Sequence, residues 1–507
     1  MSKAKKVYIV LEDGTENVLT DSASYSLGED DSNTDGAIFS KADLTINGSG
    51  TLTVNANYKH GIVSKDDLVI TDGNINVTSA STAMEGKDSV KISGGTFNIS
   101  AGTNGIKSTN TEASDKGFIS VTGGSFTVVT NNDAFEAETV LSIESGSFDI
   151  TTGGGSANAS MKSDGTPNRN WQSNMSNGGG GPNGMGRPDD NGNGTGGDLP
   201  AMPTADNTGL TIKTTANTTT DSDSTSTSAK ALKAGNEVNI SGGEFKIDSA
   251  DDSVHSNGNI VITGGNISVA SGDNGMHADG NLTISDGTVD ITKSYEGIEG
   301  AIVTIDGGTI SVVASDDGIN CAGGSDTGST DRMGADQFSS QDGVELNING
   351  GTVTIDAEGD GLDSNGNFTM AGGTVYVCGP TNGGNGALDY NGTATVTGGT
   401  LIACGAVGME EGFGDNSTQY SVLHDLGSTV SANEKLTITD SDGKEILSFT
   451  PTKTWQSVVF TSADLNKGET YTITAGSQSE TVTIDGIVTS NFTGMSFGRG
   501  HGGGRGF

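Results

Sequence analysis

The feature that most constrains the fold is a phrase of about 22 residues that returns along the chain. An acidic turn, an apolar–polar alternation, a Gly turn and a second alternation follow one another in "DGLDSNGNFTMAGGTVYV", which begins at Asp360. The same order recurs in "DDSVHSNGNIVITGGNISV", which begins at Asp251. A unit this short cannot bury its apolar face alone, so the pattern predicts a repeat protein in which neighbouring units share one core.

The residues around each Gly turn alternate with a period of two, which predicts strands with one buried face. Apolar residues precede the turn, as at Val90 and Ile92, and follow it, as at Phe97 and Ile99. A third short segment carries one apolar residue, such as Ile106. Three short strands in one repeat are typical of a parallel β-helix. We therefore expect an all-β chain with about 12 or more turns, stacked ~4.8 Å apart.

Breaks in the repeat divide the chain into segments. The parallel β-helix, called the coil below, is expected over residues 5–414. The Gly-, Asn- and Pro-rich residues 153–209 are expected to be a flexible insertion in it. Residues 415–490 lack the Gly turns and are typical of antiparallel strands. We expect them to form a small β cap over the last open edge of the coil. The Gly-rich residues 491–507 are expected to be a disordered tail.

Composition excludes several classes of partner. Only 31% of the 507 residues are hydrophobic, which is too few for one large globular core. The formal charge of −39 argues against nucleic acid, because phosphate binding needs a basic surface. Membrane insertion is not expected, since no window approaches 18 apolar residues. The start of the chain has no signal-peptide core, so we expect that the natural N-terminus was removed.

Several phrases resemble one known family. They are "SKDDLVITDG", "GKDSVKISGGTFNI", "SYEGIEGAIVTIDGGTI", "SDDGIN" and "NGALDYNGTATVTGGT", and the resemblance covers roughly residues 5–410. The family consists of bacterial carbohydrate-binding domains. The resemblance implies a right-handed parallel β-helix, located outside the cell or on its surface, that binds calcium and acidic plant polysaccharide. The implied ligand is chiefly polygalacturonate, with some binding of cellulose.

Acidic residues recur at two positions of the third segment, and stacking would align them in two columns. Carboxylates that lie close together repel one another, and calcium, which takes six to eight oxygen ligands, relieves that repulsion. The candidate metal ligands are Asp252, Glu296, Glu299, Asp316, Asp317, Asp360, Asp363, Asp389 and Glu410. The alternative is that such residues are turn formers that bond to their own backbone.

Histidines and cysteines also share columns. His255 and His277 lie on adjacent repeats. Two stacked imidazoles could bind a transition metal, but we expect exposed neighbours on a polar face. Cys378 and Cys404 occupy another column, either as a disulfide or as two free thiols.

Tyrosines are the candidate carbohydrate-binding residues, because aromatic faces stack on sugar rings. Tyr376 and Tyr390 are expected to flank the acidic groove, and Tyr295 lies beside the acids in "SYEGIEG". The alternative is that these rings shield the stack from water.

These patterns favour a non-catalytic protein that binds an acidic polysaccharide through Ca²⁺. A pectate-lyase-like enzyme is one alternative. In the known lyases that this alternative resembles, an arginine acts as the base. No arginine lies in a repeat column; the arginines are Arg169, Arg187, Arg332, Arg499 and Arg505. No catalytic residue is therefore expected. The other alternative is a structural protein that self-associates end to end into extracellular fibres or a surface layer.

Overall fold

The computed structural model describes residues 4–26, 34–159, 228–322 and 340–492. These residues form 43 β-strands and one 3-10 helix at Ser156–Asn158, with no α-helix among them. The prediction of an all-β chain is therefore confirmed. None of the described segments forms a helix with the length and hydropathy that a membrane crossing requires.

The first 22 strands are β1 Lys6–Leu11, β2 Glu16–Thr20, β3 Gly36–Ser40, β4 Asp43–Gly48, β5 Thr51–Ala56, β6 His60–Ser64, β7 Asp67–Ile70, β8 Asn74–Ser79, β9 Met84–Gly86, β10 Ser89–Ile92, β11 Thr96–Ala101, β12 Ile106–Ser108, β13 Phe118–Val121, β14 Ser125–Thr130, β15 Phe135–Ala137, β16 Val140–Ile143, β17 Ser147–Thr152, β18 Leu232–Ala234, β19 Glu237–Ile240, β20 Glu244–Ser249, β21 Val254–Ser256 and β22 Asn259–Ile262.

The remaining strands are β23 Asn266–Ser271, β24 Met276–Ile284, β25 Thr288–Lys293, β26 Ile298–Ile305, β27 Thr309–Ala314, β28 Ile319–Cys321, β29 Glu345–Ile348, β30 Thr352–Ala357, β31 Leu362–Ser364, β32 Asn367–Met370, β33 Thr374–Cys378, β34 Leu388–Tyr390, β35 Ala394–Val396, β36 Thr400–Gly405, β37 Ser421–Val430, β38 Leu436–Thr439, β39 Glu445–Phe449, β40 Trp455–Thr461, β41 Thr470–Ala475, β42 Gln478–Thr483 and β43 Val488–Ser490.

Strands β1 to β36 belong to three series, and each strand pairs in parallel with its counterpart one repeat later. The first series precedes the Gly turn and includes β4, β7 and β10; the second follows the turn and includes β5, β8 and β11. The third series includes β6, β9 and β12. Strands β24 and β26 each continue from a third-series segment into the next first-series strand, which joins those two series into one 23-stranded sheet.

The predicted period of two is the alternation of buried and exposed residues along these strands. In β14, Phe126 and Val128 are buried while Thr127 and Val129 are exposed. At the preceding turn Gly124 has φ 118°, a conformation that residues with a side chain rarely adopt. A Cβ there would also lie 3.1 Å from the Phe126 ring. The Gly turn is therefore a requirement of both backbone conformation and packing.

A stack of phenylalanines fills the core beside the second series. The Phe97, Phe126, Phe148 and Phe245 rings lie parallel, with successive centroids 4.6, 4.9 and 4.5 Å apart. The Phe135 ring meets two of them edge-on, at 5.7 and 5.9 Å. Both arrangements are favourable for aromatic pairs, so this part of the core is tied together across four repeats.

The C-terminal residues form antiparallel strands against the second series. Strand β40 pairs antiparallel with β36 and with β37, while β37 also pairs in parallel with β43. Strands β39, β38, β41 and β42 form a separate four-stranded antiparallel sheet in that order. Lys453 forms an ion pair with second-series strand β30, with its Nζ 2.8 Å from Asp356 Oδ1. The edge of β36 is thus already hydrogen-bonded to a strand of the same chain.

Most of the predicted insertion at 153–209 and nearly all of the predicted tail at 491–507 lie outside the described residues. The described start of the insertion contacts strands β20 and β25. Ser156 N–H donates to Asp248 Oδ1 at 2.6 Å, and the Ser156 carbonyl accepts from Lys293 Nζ at 2.7 Å. Residues 156–158 are therefore anchored to two later repeats.

Replacing Phe126 with Ala should destabilise the chain by about 3–5 kcal/mol, because it removes a fully buried ring from the middle of the stack and leaves a cavity. Denaturant unfolding followed by far-UV circular dichroism measures the change. Val129→Ala on the same strand is the control: Val129 is 50% exposed, so the expected change is within about 0.5 kcal/mol. Equal losses in the two variants would contradict this account of the core.

Candidate functional site

Two columns of side chains follow the third series of strands, with one residue of each column per repeat. The strand column is formed by the middle residue of each third-series segment, and register pairs join its neighbours. Its members are Glu85, Lys107, Glu136, Lys233, His255, His277, Glu299, Asn320, Asp363 and Asp389.

The turn column lies three residues earlier in each repeat, where the chain enters the third series. In each repeat, the residue after a column member donates its N–H to the carbonyl of the next member. These bonds set the spacing of the column. Its members are Asn104, Asp133, Lys230, Asp252, Asn274, Glu296, Asp317 and Asp360.

Lysines neutralise the acids in the N-terminal part of the columns. Lys107 Nζ lies 2.7 Å from Glu136 Oε2, and Lys233 Nζ lies 3.4 Å from Asp133 Oδ2. Lys65 outside the columns reaches Glu85 Oε1 at 3.1 Å. Cationic and anionic side chains alternate here, so like charges are not direct neighbours.

In the C-terminal part no column position holds a lysine. Between Lys293 and Lys435 the sequence contains twenty acidic residues, no lysine and one arginine, Arg332, which lies outside the described residues. Seven of these acids interact electrostatically with one another, and together they form the acidic cluster. Its members are Glu296, Asp316, Asp317, Asp360, Asp363, Asp389 and Glu411.

The acidic cluster is compact at its centre. One carboxylate oxygen from each of Asp317, Asp360 and Asp363 lies within 4.8 Å of the others. Asp360 N–H donates to Asp317 Oδ1 at 2.7 Å, which holds that carboxylate across the turn. A Cβ on Gly359 would lie 2.4 Å from Asp317 Oδ1 and 2.6 Å from Asp316 Oδ1, so only glycine lets the backbone approach these carboxylates.

Burial and mutual repulsion raise the pKa values in the acidic cluster. Burial, together with Asp389 and Asp316, raises the pKa of Asp360 to about 7. Burial is also the largest cause of the raised pKa of Asp317 and of Asp363, with Asp360 adding to both. Burial and Asp389 raise the pKa of Glu411 to about 7. The folded chain therefore opposes ionisation of this cluster unless a cation enters it.

The side-chain amide oxygen of Asn320 is further evidence for a cation at the acidic cluster. Asn320 stands between Glu299 and Asp363 in the strand column and is 7% exposed. Its Oδ1 is buried and accepts no hydrogen bond from the described residues. An uncompensated amide oxygen costs free energy unless it binds a donor or an ion. Carboxylate and amide oxygens are the ligands that calcium prefers, so the residues present fit that ion.

Three predicted ligands lie outside the acidic cluster. Glu299 is the register neighbour of Asn320, and its Oε2 lies 3.7 Å from His277 Nδ1. Asp252 is fully buried and belongs to a group with Lys230 and His255, described below. Although its burial opposes ionisation, Lys230 and His255 lower the pKa of Asp252. Glu410 lies in the loop after β36, where its Oε2 accepts from the N–H of Gly408.

The expectation that His255 and His277 are exposed is wrong. They are 5% and 1% exposed, and side chains of Asp252, Asn257, Asp279 and Glu299 surround their ring nitrogens. His255 Nδ1 lies 2.8 Å from Asp252 Oδ2. The two rings are perpendicular rather than stacked face to face, at 84° with centroids 5.0 Å apart.

The three tyrosines do not share one groove. Tyr376 is on second-series strand β33, and its ring stacks on Phe449 of the C-terminal segment at 5.4 Å. The prediction that Tyr376 flanks the acidic groove is therefore wrong. Strand β33 belongs to the 16-stranded sheet, whereas the acidic columns follow strands of the 23-stranded sheet. Tyr390 lies beside the acidic cluster, but its hydroxyl donates to the Gly412 carbonyl at 2.6 Å. Tyr295 is half-buried at the turn column, next to Glu296.

Cys378 and Cys404 are register neighbours, as expected, and both are free thiols. Both are buried, since the C-terminal segment covers this part of the sheet. The five arginines and His501 lie outside the described residues. Their relation to the columns stays a prediction.

Sequence reasoning identified both columns but omitted Asn320 and Glu411 as candidate ligands. The signal for Asn320 was its place at the same repeat position as Glu299 and Asp363. Glu411 carried no such signal, because it comes after the last third-series strand and reaches the cluster through its loop.

Comparison with known proteins identifies the family. The family model described as carbohydrate-binding domain-containing protein matches residues 1–275 and 276–386, more than half of the chain, so the chain belongs to that family. A protein of Acetivibrio thermocellus with the same description is 49% identical over 78 residues, which are 15% of this chain and 27% of that protein. The chain thus matches about a quarter of that relative's length.

One solved structure is also similar, the gadolinium derivative of the polysaccharide lyase-like protein from C. thermocellum. It is 42% identical, and the match covers 29% of this chain and 60% of that chain, with a TM-score of 0.29.

The raised pKa values predict that the cation-free chain loses stability as pH rises. Between about pH 4.5 and 7 the unfolded carboxyls are ionised while Asp360 and Glu411 stay protonated in the folded chain. Each group then destabilises the fold by up to about 1.4 kcal/mol per pH unit. Urea unfolding at pH 5 and pH 8 in a chelator measures the loss, and added calcium should reduce it.

Asp360→Asn provides the control, since an amide cannot ionise. The variant should lose less stability over the same pH range than the unmodified chain. All other charged groups are the same in the two chains, so the difference reports on Asp360. An identical pH dependence in the two chains would show that the acidic cluster does not cause it.

Proposed function

We propose that this chain binds an acidic polysaccharide of the polygalacturonate type, without catalysis, through calcium held by the acidic cluster. The observation that supports this most directly is the group of Asp317, Asp360 and Asp363, whose oxygens lie within 4.8 Å of one another in a part of the columns that holds no lysine. The family's description as a carbohydrate-binding domain is consistent with a polysaccharide ligand.

The proposal includes a fold and a location. We propose that the three series of parallel strands wind as a right-handed parallel β-helix and that residues 415–490 cap its end. The in-register parallel pairing supports the coil, and the antiparallel pairing of β40 with β36 supports the cap. A polysaccharide of this kind is met outside the cell, so we propose an extracellular or cell-surface location.

Calcium would relieve the electrostatic repulsion between this acidic chain and an acidic polysaccharide. A chain with a formal charge of −39 repels a polyuronate. Calcium takes six to eight oxygen ligands and can share them between a protein and a second anion. The protein's part is to supply Asp317, Asp360, Asp363 and Asn320 on one side, while uronate carboxylates would complete the shell from solvent.

Retention on polygalacturonate should depend on calcium. The chain is expected to be slowed in a native gel that contains polygalacturonate and calcium, and to run freely when a chelator replaces calcium. Magnesium should restore less retention, because it demands smaller octahedral geometry and keeps its waters. Unchanged retention after chelation would rule out the bridge. Polymer recovered from the gel should keep its length, and shortening would favour the lyase alternative.

Removal of two central carboxylates should weaken calcium binding. Asp360→Asn combined with Asp363→Asn is expected to reduce affinity at least ~tenfold, which is about 1.4 kcal/mol, as measured by calorimetric titration. Asp149→Asn is the matched control: this aspartate is 61% exposed on a second-series strand. Equal calcium affinity in both variants would place the ion elsewhere.

The pairing of β36 bears on the structural alternative. Head-to-tail assembly by strand addition needs an open edge at the C-terminal end of the coil, and β40 occupies that edge of the second series. We therefore favour binding over fibre formation. Size-exclusion chromatography with and without calcium separates the two, since a fibre former would elute as a growing assembly.

A further inference from the structure

The buried histidine pair and its neighbours form a second group of ligating side chains, with a different chemistry from the acidic cluster. One ligand atom from each of Asp252, His255 and His277 lies within 4.8 Å of the others. All three are at least 95% buried. Buried histidines in contact with a carboxylate are uncommon on a polar face, so this arrangement calls for a physical explanation.

Both imidazoles present the same nitrogen to the centre of the group. His255 Nδ1 lies 2.8 Å from Asp252 Oδ2. His277 Nδ1 lies 3.9 Å from the same oxygen and 3.7 Å from Glu299 Oε2. Two Nδ1 atoms and one oxygen of Asp252 therefore converge, while Glu299 Oε2 approaches the group from the side of His277 and also accepts from the Asn274 amide.

The other nitrogen of each ring points to an oxygen acceptor two residues later in the chain. His255 Nε2 lies 2.9 Å from Asn257 Oδ1, and His277 Nε2 lies 3.5 Å from Asp279 Oδ1. An oxygen acceptor on the distal nitrogen is typical of metal-binding histidines, because it fixes the tautomer that leaves the proximal nitrogen free to coordinate.

We propose that Asp252, His255, His277 and Glu299 bind a divalent transition-metal ion of the zinc type. Two imidazole nitrogens and two carboxylate oxygens are a common tetrahedral donor set for that class of ion. Calcium prefers oxygen ligands alone, so this site is chemically distinct from the acidic cluster. Glu299 lies between the two in the strand column, as the register neighbour of His277 on one side and of Asn320 on the other.

A proton is the competing occupant. An amide oxygen only accepts, so Asn257 keeps the Nε2 proton on His255. A bare Nδ1 lone pair 2.8 Å from a carboxylate oxygen would be repulsive, so without a metal ion a proton lies between them. A metal ion would displace that proton and move the two atoms apart, because two ligands of a tetrahedral ion are farther apart than a hydrogen-bonded pair.

Lys230 already pairs with the aspartate of this group. Its Nζ contacts Asp252 Oδ2, the oxygen that faces both histidines, at 2.6 Å and Asp251 Oδ1 at 2.9 Å, so a metal ion would share Asp252 with this ammonium. Asp273 and Asp279 add further negative charge near the group. The carboxylates around the histidines thus outnumber this ammonium.

Cobalt(II) tests the proposal, because nitrogen ligands in tetrahedral geometry give it visible absorption. The full chain, stripped with a chelator and dialysed, is titrated with Co²⁺ and then with Zn²⁺. We expect one equivalent of Co²⁺ to develop a visible band that Zn²⁺ abolishes and that excess Ca²⁺ leaves in place. No visible band on the unmodified chain would overturn the proposal without any variant.

His277→Gln should bind Co²⁺ at least ~tenfold more weakly and lose the band, and Asp279→Asn should weaken binding by a smaller factor. His60→Gln is the matched control, since His60 lies in the same strand series but not in this group. Far-UV circular dichroism without metal shows whether each variant folds. A band that survives in a folded His277→Gln would also overturn the proposal.

The calcium proposal and the transition-metal proposal can be tested independently. Asp363→Asn should keep the Co²⁺ band while losing calcium affinity, since Asp363 is two register steps from Glu299. Loss of the band in Asp363→Asn would assign the Co²⁺ signal to the acidic cluster and contradict the histidine site.

Discussion

Parallel pairing in register, repeated once per sequence repeat, is the constraint on which the rest of the structure depends. It places each residue about one strand spacing, ~4.8 Å, from the residue at the same position of the next repeat. An apolar position becomes a continuous core, as in the phenylalanine stack from Phe97 to Phe245. A charged position becomes a column of charges, whose mutual repulsion must be relieved along its whole length.

The strand column shows three ways of relieving that repulsion. In its N-terminal part lysines alternate with glutamates, as in the pair of Lys107 and Glu136. In the middle His255 and His277 replace them and face carboxylates. In the C-terminal part Asp363 and Asp389 are adjacent, no lysine occupies a column position, and the pKa of each aspartate is raised by its burial. The change along the column from lysine to histidine to acids alone is what separates a structural ladder from candidate metal sites.

The fold was largely predictable because its signals are local and repeated. The Gly turns have the positive φ that their composition implies, as at Gly124, and the alternation around them matches the buried faces. The column positions of Glu299 and Asp363 followed from counting residues back from each turn. A repeat protein allows this, since sequence distance within one unit translates directly into position on a neighbouring unit.

Other features were not predictable, because they depend on contacts with segments outside the repeat. The sequence placed Tyr376 beside the acids, whereas the C-terminal segment covers it through Phe449. The same segment buries Cys378 and Cys404. Glu411 reaches the acidic cluster only through the path of its loop.

By itself the sequence determined the repeat, the three strands of each unit and the order of charges along the columns, since these follow from period and spacing. Only the tertiary structure decided which of those charges are buried, which meet a lysine and which converge without one. Burial and pairing depend on side-chain reach across stacked turns, and the free energy of a charge depends on that environment rather than on its place in the chain.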